Sequence, residues 1–317
     1  AEPPLMTLNS PGDFKLGEYS VWYEDSSAVM TPAQALALSS EAWQQSTSEA
    51  LNFGFTHSAY WLRLKVINDS VLNWSIWIRY SLLDYVDIYL CPAGETDITQ
   101  CHQKHGGDEY PFAEGRDIDH PNLIFKTPMT PGREYNVLMR VQTSGTQQIP
   151  AAFVDDQTLE HELLNNNIIR GGYYATMLVM GLYNLFIFFS TRERSYLYYS
   201  AVTLTFLMFH MSYEGSAFQF FWPGYANLNH YALPLMFSIN MVFISLFVPN
   251  FLRLKKYSRP AHRLFRVYTA MSLMSLVMLP LTPYQLLVPL NNLLSTLLLI
   301  SALLVGIRFW IQGQSSA

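Results

Sequence analysis

Residues 171–190 read GGYYATMLVMGLYNLFIFFS and contain no Lys, Arg, Asp or Glu. A helix needs about 20 apolar residues to cross the hydrocarbon core of a bilayer, and this stretch has that length. Further uncharged apolar runs follow at residues 195–213, 231–252, 267–284 and 285–307. Because a globular core does not repeat such runs, the sequence predicts an α-helical transmembrane region over residues 171–311 with five spans. Pro280 and Pro283 should shorten the helical part of the fourth span.

The loops between these runs predict the orientation of the bundle. Basic residues occupy the first loop, the third loop and the segment after the fifth run: Arg192, Arg194, Arg253, Lys255, Lys256, Arg259, Arg263, Arg266 and Arg308. The second loop, from about Glu214 to His230, contains no Lys or Arg, and neither does the fourth. Loops rich in Lys and Arg stay on the cytoplasmic side. We therefore expect residues 1–170 outside the cytoplasm and the C-terminal end inside.

Residues 1–155 have the pattern of a β domain. Apolar and polar residues alternate over 60–66, 74–80, 86–90 and 135–141, with many aromatic and β-branched side chains. Many short strands without intervening helices favour a β-sandwich of the jelly-roll type. Two helices are also predicted. One covers Ala33–Gln44 and is capped by Thr31; the other covers residues 156–167, within a juxtamembrane linker of residues 156–170.

Composition and termini restrict the class of protein further. The net charge is −5, and no basic run before residue 170 offers a track for nucleic acid, so nucleic-acid binding is not expected. The opening Ala1-Glu2-Pro3-Pro4 is typical of what signal peptidase leaves, so we expect a mature exported protein. Cys91 and Cys101 flank a Pro-Ala-Gly turn. An oxidising compartment favours a disulfide between them, and two unlinked thiols are the alternative.

Polar side chains inside the predicted spans should hydrogen-bond to neighbouring helices, because unpaired polar groups are costly in hydrocarbon. The residues concerned are Asn184, His210, Asn240, Asn291 and Asn292. The spans contain no carboxylate, which a proton or transport path would normally use.

Several sequence patterns resemble catalytic or metal-binding motifs, but each lacks a residue, a spacing or a location that the motif requires. Residues 106–110, GGDEY, mimic a diguanylate cyclase signature, but the predicted topology places them outside the cytoplasm, so a turn between strands is favoured. His161 begins a zinc-protease pattern in which Asn165 replaces the second histidine. Four side chains could bind zinc on composition alone, although their spacing fits no standard pattern: Cys91, Cys101, His102 and His105. We predict no catalytic residue, cofactor or metal in this segment.

Sugar-binding sandwiches stack ligands on aromatic faces and bind hydroxyl groups with carboxylates or arginine. The sequence offers seven candidates for such a surface: Trp61, Arg63, Trp77, Arg79, Asp84, Asp87 and Arg116. In the alternative interpretation the two tryptophans pack against the sheet, and Arg63 and Asp84 form structural salt bridges.

Five short stretches carry a resemblance to a known family. They are residues 52–63 (NFGFTHSAYWLR), 83–89 (LDYVDIY), 140–145 (RVQTSG), 181–185 (GLYNL) and 194–199 (RSYLYY). Taken in order, they resemble the bacterial 7TMR-DISM receptors, which are seven-transmembrane receptors with diverse intracellular signalling modules. The resemblance is to the type with a jelly-roll extracellular domain, and it spans nearly the whole chain.

The resemblance implies a signalling receptor in the bacterial inner membrane, with residues 1–155 in the periplasm as the sensor domain. The expected partners are a small molecule such as a carbohydrate, the lipid bilayer and, in one form of the hypothesis, a second copy of the chain. The bundle would report to a cytoplasmic kinase, diguanylate cyclase or phosphodiesterase, in two-component or cyclic-di-GMP signalling. Since the family has seven spans, we expect two more spans and the output module beyond these five.

A membrane transporter or export component with a periplasmic accessory domain is the alternative function. It predicts ionisable groups or paired broken helices within the spans. The lack of carboxylates in the spans argues against it.

Overall fold

The computed structural model describes residues 1–311 and divides into two compact units. The first, called the β unit below, contains Ala1–Asn167 together with Tyr213–His230. The second, called the helical unit, contains Ile168–Ser212 and the chain from Tyr231 onward.

Thirteen strands lie within the described residues: β1 (Leu5–Leu8), β2 (Asp13–Lys15), β3 (Val21–Asp25), β4 (Gln44–Gln45), β5 (Leu51–Phe55), β6 (Ala59–Asn68), β7 (Trp74–Ile78), β8 (Tyr85–Pro92), β9 (His102–Gly106), β10 (Leu123–Thr127), β11 (Glu134–Gln142), β12 (Thr146–Ile149) and β13 (Ala151–Asp155). One sheet has the order β4-β3-β6-β11-β8-β9, with β1 also paired to β6. A second has the order β10-β7-β13-β2, and β5 pairs with β12. All four predicted strands are present.

The core of the β unit lies between the two larger sheets. Leu62 and Leu64 of β6 and Val137 of β11 face it from one sheet, and Ile76 of β7 and Phe153 of β13 face it from the other. All five are at most 1% exposed. The domain is therefore a β-sandwich, as the alternation of residues predicts.

Helix α1 (Pro32–Leu36) is shorter than predicted. Thr31 caps it, since the Thr31 hydroxyl accepts a hydrogen bond from the backbone of Gln34 and the Gln34 side chain accepts one from the backbone of Thr31. The prediction of a helix to Gln44 is wrong. Trp43 is buried at 2% exposure, and Gln44–Gln45 pair with β3. Burial of a large ring and strand pairing together outweigh the local helix propensity.

The disulfide between Cys91 and Cys101 is confirmed, with Cα atoms 4.4 Å apart. It joins β8 to the residue that precedes β9, and these two strands are neighbours in the larger sheet. The two sulfurs are therefore not available as zinc ligands.

Seven further helices follow: α2 (Asp156–Thr191), α3 (Arg194–Tyr213), α4 (Ser216–Phe221), α5 (Ala226–Phe251), α6 (Leu254–Tyr257), α7 (Arg259–Met278) and α8 (Tyr284–Ile311). Five of them are long and fall on the five predicted spans. Three, α2, α5 and α8, are long and apolar enough to cross a membrane. Helix α7 ends before Pro280 and Pro283, as predicted. Helix α2 contains both the predicted juxtamembrane helix and the first apolar run.

Polar side chains link helices of the helical unit. Asn240 of α5 donates to two oxygens of α3, at 2.8 and 2.9 Å. Asn291 of α8 hydrogen-bonds to serines of α5 and α7, at 3.1 and 2.7 Å. The prediction of bonds between helices is confirmed for these two residues. It is wrong for Asn184, whose amide donates to a backbone oxygen of its own helix at 2.8 Å.

Candidate functional site

The segment Tyr213–His230, called the docked segment below, belongs to the β unit although long apolar helices precede and follow it. The backbone amide of Phe112 donates to the carbonyl of Pro223 at 2.7 Å. The Gln219 side chain donates to the Asp119 carboxylate at 2.9 Å. Both partners in the sandwich lie in the long loop between β9 and β10.

Apolar packing also holds the docked segment. Ala217 and Phe218 of α4 are 0% and 1% exposed, and the ring of Phe218 meets the edge of the Phe112 ring at 5.5 Å between centroids. Gly215, which precedes α4, has a φ of +83°, and a Cβ there would lie 2.8 Å from Cβ of Ser81. Only glycine fits both the backbone angle and the space. The segment is thus packed as part of the domain.

Three carboxylates lie at the edge of this contact: Asp84, Asp108 and Glu109, called the carboxylate cluster below. Strand β9 ends at Gly106, and the backbone amide of Asp108 then donates to the carbonyl of Leu83 at 2.8 Å. Gly107 has a φ of +144° and packs so closely on the Asp84 backbone that it leaves no room for a side chain. These contacts bring the carboxylate oxygens within 4.8 Å of one another.

Two members of the carboxylate cluster contact the docked segment. The Asn229 side chain donates to Asp108 at 3.5 Å, and Nδ1 of His230 lies 2.8 Å from the Glu109 carboxylate. The third member, Asp84, is held within the sandwich. It accepts hydrogen bonds from the Thr143 hydroxyl at 3.0 Å and from the backbone of Ser144 at 2.8 Å.

Burial and mutual repulsion change the protonation of this cluster. Burial raises the pKa of Asp108 well above its ordinary range, and the charges of Asp84 and Glu109 raise it further. Burial also raises the pKa of Asp84, although the hydrogen bonds from Ser144 and Thr143 oppose the rise. Arg116 is the nearby cation, and burial lowers its pKa to about 10. The site therefore favours holding a proton among its carboxylates.

The spacing of the three carboxylates would admit a cation. Their oxygens already have partners, however, since Glu109 pairs with His230 and Asp84 accepts two hydrogen bonds. We therefore do not assign a metal to the cluster.

The two predicted tryptophans lie on different sheets. Trp61 of β6 is fully buried and packs with Val21, Ala35 and Trp43 on the outer side of the larger sheet. Trp77 of β7 is 1% exposed and packs on the second sheet with Ile124. The structure thus does not place the two rings on one surface.

The two arginines that follow these tryptophans along the chain stack on aromatic rings. The guanidinium of Arg63 lies 4.7 Å from the Trp43 ring centroid, and that of Arg79 lies 4.1 Å from the ring of Trp77. Arg79 also pairs with Asp13 at 3.1 Å and with Glu162 of α2 at 2.9 Å. Arg79 therefore ties the start of α2 to the sandwich.

The other three predicted residues lie in two further places. Asp87 of β8 pairs with Arg140 of β11 at 3.6 Å, across neighbouring strands. Asp84 belongs to the carboxylate cluster. Arg116 lies 4.1 Å from the ring of Phe112 and 5.9 Å from that of Phe218, beside the docked segment.

A pocket of about 470 Å³ opens beside Arg63. Its polar lining includes Lys65, Glu2, Glu95 and Asn136, and α1 supplies an apolar wall. The Nε atom of Arg63 is buried and has no hydrogen-bond partner within residues 1–311. This pocket combines a cavity with charged and polar side chains, which suits a small polar ligand.

The catalytic-looking motifs have structural explanations. Residues 106–110 end strand β9 and begin the long loop to β10, so they lie between two strands as predicted, in a loop and not in a tight turn. His161 and Asn165 lie one turn apart on α2, with their side chains 3.4 Å apart. Sequence reasoning noticed Asp108 and Glu109 only as part of a misleading motif. It missed their contact with Asn229 and His230.

These observations define a class of protein: a membrane protein in which one continuous helix leads from an all-β domain into a helical bundle. Residues 17–155 match the family model described as 7TMR-DISM extracellular 2, and residues 166–317 match the model described as 7TM diverse intracellular signalling. The chain belongs to the 7TMR-DISM family of membrane signalling receptors. No curated protein matches it.

Proposed function

We propose that this chain is the sensory and membrane part of a receptor whose β unit detects a small molecule outside the cytoplasm. The observation that carries the proposal is the path of the chain. It passes between the β unit and the helical unit three times: within α2, after Ser212 and after His230. A change in the β unit therefore has three covalent routes into the helices.

The charges of the loops support the proposed orientation. The docked segment contains no Lys or Arg and belongs to the same unit as the sandwich. The basic loops, around Arg192 and from Arg253 to Arg266, belong to the helical unit. An orientation with the β unit in the periplasm and these loops in the cytoplasm satisfies the positive-inside rule. The bacterial inner membrane is the corresponding location.

The pocket beside Arg63 is the proposed ligand site. Arginine, lysine, asparagine and carboxylate side chains line it, and this mixture suits the hydroxyl groups of a carbohydrate or another small polar molecule. The Arg63 guanidinium lines the pocket and would donate hydrogen bonds to a ligand oxygen. Binding would shift the β unit and the helices between two arrangements, and a cytoplasmic kinase, diguanylate cyclase or phosphodiesterase would respond.

Calorimetric titration of the whole chain in detergent, with a library of mono- and oligosaccharides, tests this proposal. The whole chain is required because Tyr213–His230 is packed into the β unit. A saccharide that binds the wild type should bind at least about tenfold more weakly to Arg63→Gln, because the variant loses a charged donor. The matched control is Arg133→Gln, which removes an arginine that does not line the pocket. Absence of binding across the library, or equal weakening by both variants, would count against the site.

A further inference from the structure

We propose that the docked segment, Tyr213–His230, is a proton-controlled latch. It is held on the sandwich when the carboxylate cluster carries a proton, and it loosens when the cluster is fully ionised. The proposal rests on the proposed function only for the location of the segment outside the cytoplasm. The latch itself follows from the contacts within the β unit.

Several ionisable groups lie where the docked segment contacts the rest of the β unit, and this contact region is called the seam below. Asp108 is 9% exposed and accepts a hydrogen bond from the Asn229 side chain of the docked segment at 3.5 Å. Glu109 contacts His230 of the same segment. The ionisable groups that face this seam from every packed element are Tyr80, Asp84, Tyr85, Asp108, Glu109, Tyr110, Arg116, Asp119, Tyr213 and His230.

The charge balance at the seam depends on protons. With all three carboxylates ionised, Arg116 is the cation whose charge does not depend on pH near neutrality. The Asp108 carboxylate is poorly solvated in the docked state, because it is 9% exposed and its hydrogen bond from Asn229 is 3.5 Å long. Ionisation of Asp108 therefore favours a state in which water can reach the carboxylate. Release of the docked segment provides that state. The contact between His230 and Glu109 is an ion pair only while the imidazole is protonated, so it also weakens as pH rises.

The sign of the pH dependence follows from linkage. Burial and the neighbouring carboxylates raise the pKa of Asp108 in the docked state. Release exposes the carboxyl and returns its pKa toward the ordinary value of 3.8. The docked state therefore binds more protons than the released state. Docking is strongest below the ordinary carboxyl pKa and weakens as pH rises toward the raised value, by at most about tenfold per pH unit for each linked proton.

Hydrogen exchange measured by mass spectrometry tests the latch in the whole chain, in detergent, from about pH 5 to about pH 8. The readout is the protection of amides in residues 213–230, corrected at each pH for the exchange rate of an unstructured peptide. Protection should fall as pH rises in the wild type. Asp108→Asn carries a neutral amide at all pH values, so its protection should fall less than that of the wild type, with the remaining fall due to the pair of His230 and Glu109. Asp69→Asn, which removes an exposed carboxylate elsewhere in the β unit, should behave as the wild type.

Wild-type protection that stays constant or rises with pH would overturn the proposal, and so would the same fall in Asp108→Asn as in the wild type. Strand β11, residues 134–142, reports whether each variant is folded. If Asp108→Asn fails to fold, the pH dependence of protection in the wild type tests the proposal by itself. The readout needs no ligand and no output module. A failed saccharide titration with a pH-dependent latch would therefore reject the ligand proposal and leave the latch.

Discussion

Two buried carboxylates of the β unit have different surroundings. One is Asp155, at the start of α2, and the other is Asp108, which contacts the docked segment. Each lies near a place where the chain leaves the sandwich. Asp155 is 1% exposed and accepts hydrogen bonds from the backbone amides of Gly12, Gln157 and Thr158, at 2.8, 3.0 and 3.1 Å. Asp108 is 9% exposed and accepts a longer hydrogen bond, at 3.5 Å, from the Asn229 side chain.

The difference in hydrogen bonding reverses the effect of burial. Burial favours a raised pKa for Asp155, but the hydrogen bonds from Thr158, Gly12 and Gln157 outweigh it and lower the pKa. A lowered pKa means that Asp155 stabilises the fold above the ordinary value of 3.8 and loses this effect only as pH falls through its own lower pKa. Burial and like charges raise the pKa of Asp108 instead. Backbone donors offset the effect of burial at Asp155, whereas burial and like charges dominate at Asp108. This contrast makes the junction at the start of α2 fixed and the junction at the docked segment adjustable.

The largest expected effect comes from removing the apolar anchor of the adjustable junction. Phe218→Ala deletes a ring that is 1% exposed, and such deletions cost about 3 kcal/mol. The amides of residues 213–230 should lose protection at all pH values, while α2 keeps its own. Phe220→Ala is the matched control, because that ring in the same helix is 66% exposed. Equal loss from both variants would show that the docked segment is not packed as described.

Asp155→Asn should weaken the fixed junction by about 2 kcal/mol, because the Asn amide cannot accept the hydrogen bond from the Gly12 backbone and the remaining bonds lose their charge. Thermal unfolding of the β unit, followed by tryptophan fluorescence, measures the change. Asp156→Asn removes the next carboxylate, which contacts the exposed Asn73 side chain, and should cost about 0.5 kcal/mol or less. If Asp155→Asn and Asp156→Asn lower the stability of the β unit equally, Asp155 does not account for the difference between the two junctions.

The smallest expected effect comes from Arg79, which pairs with Glu162 on α2. Arg79→Gln should destabilise the start of α2 by about 1 kcal/mol, since the pair is partly exposed and the stacking on Trp77 is lost as well. Exchange should rise in residues 156–167 and stay unchanged in residues 213–230. A rise in both segments would mean that the two junctions are coupled and not separate.

Much of the β unit could be predicted from sequence, because its strands and its disulfide depend on residues that are close together in the chain. Alternation identified β6, β7, β8 and β11, and the short spacing of Cys91 and Cys101 around a turn favoured their disulfide. Alternation also places Trp61 and Trp77 on the side of each strand away from the shared core. It does not reveal what covers them, and in the structure Trp43 and Arg79 do so.

The candidate site could not be predicted because its contacts are distant in sequence. Glu109 and His230 are 121 positions apart, as are Asp108 and Asn229. The periodicity of strands and apolar runs carries no information about a contact between the loop after β9 and the loop between two apolar runs. One available signal was a contradiction: an acidic pair follows two glycines in a segment that the loop charges predict to lie outside the cytoplasm, where the enzymatic meaning of that motif would not apply.

The central claim is that one junction is fixed and the other is controlled by protons. The most direct test compares, in the wild-type chain, the corrected protection of residues 156–167 with that of residues 213–230 as pH rises from about 5 to about 8. We predict constant protection in residues 156–167 and falling protection in residues 213–230. Parallel behaviour of the two segments, whether both constant or both falling, would contradict the claim.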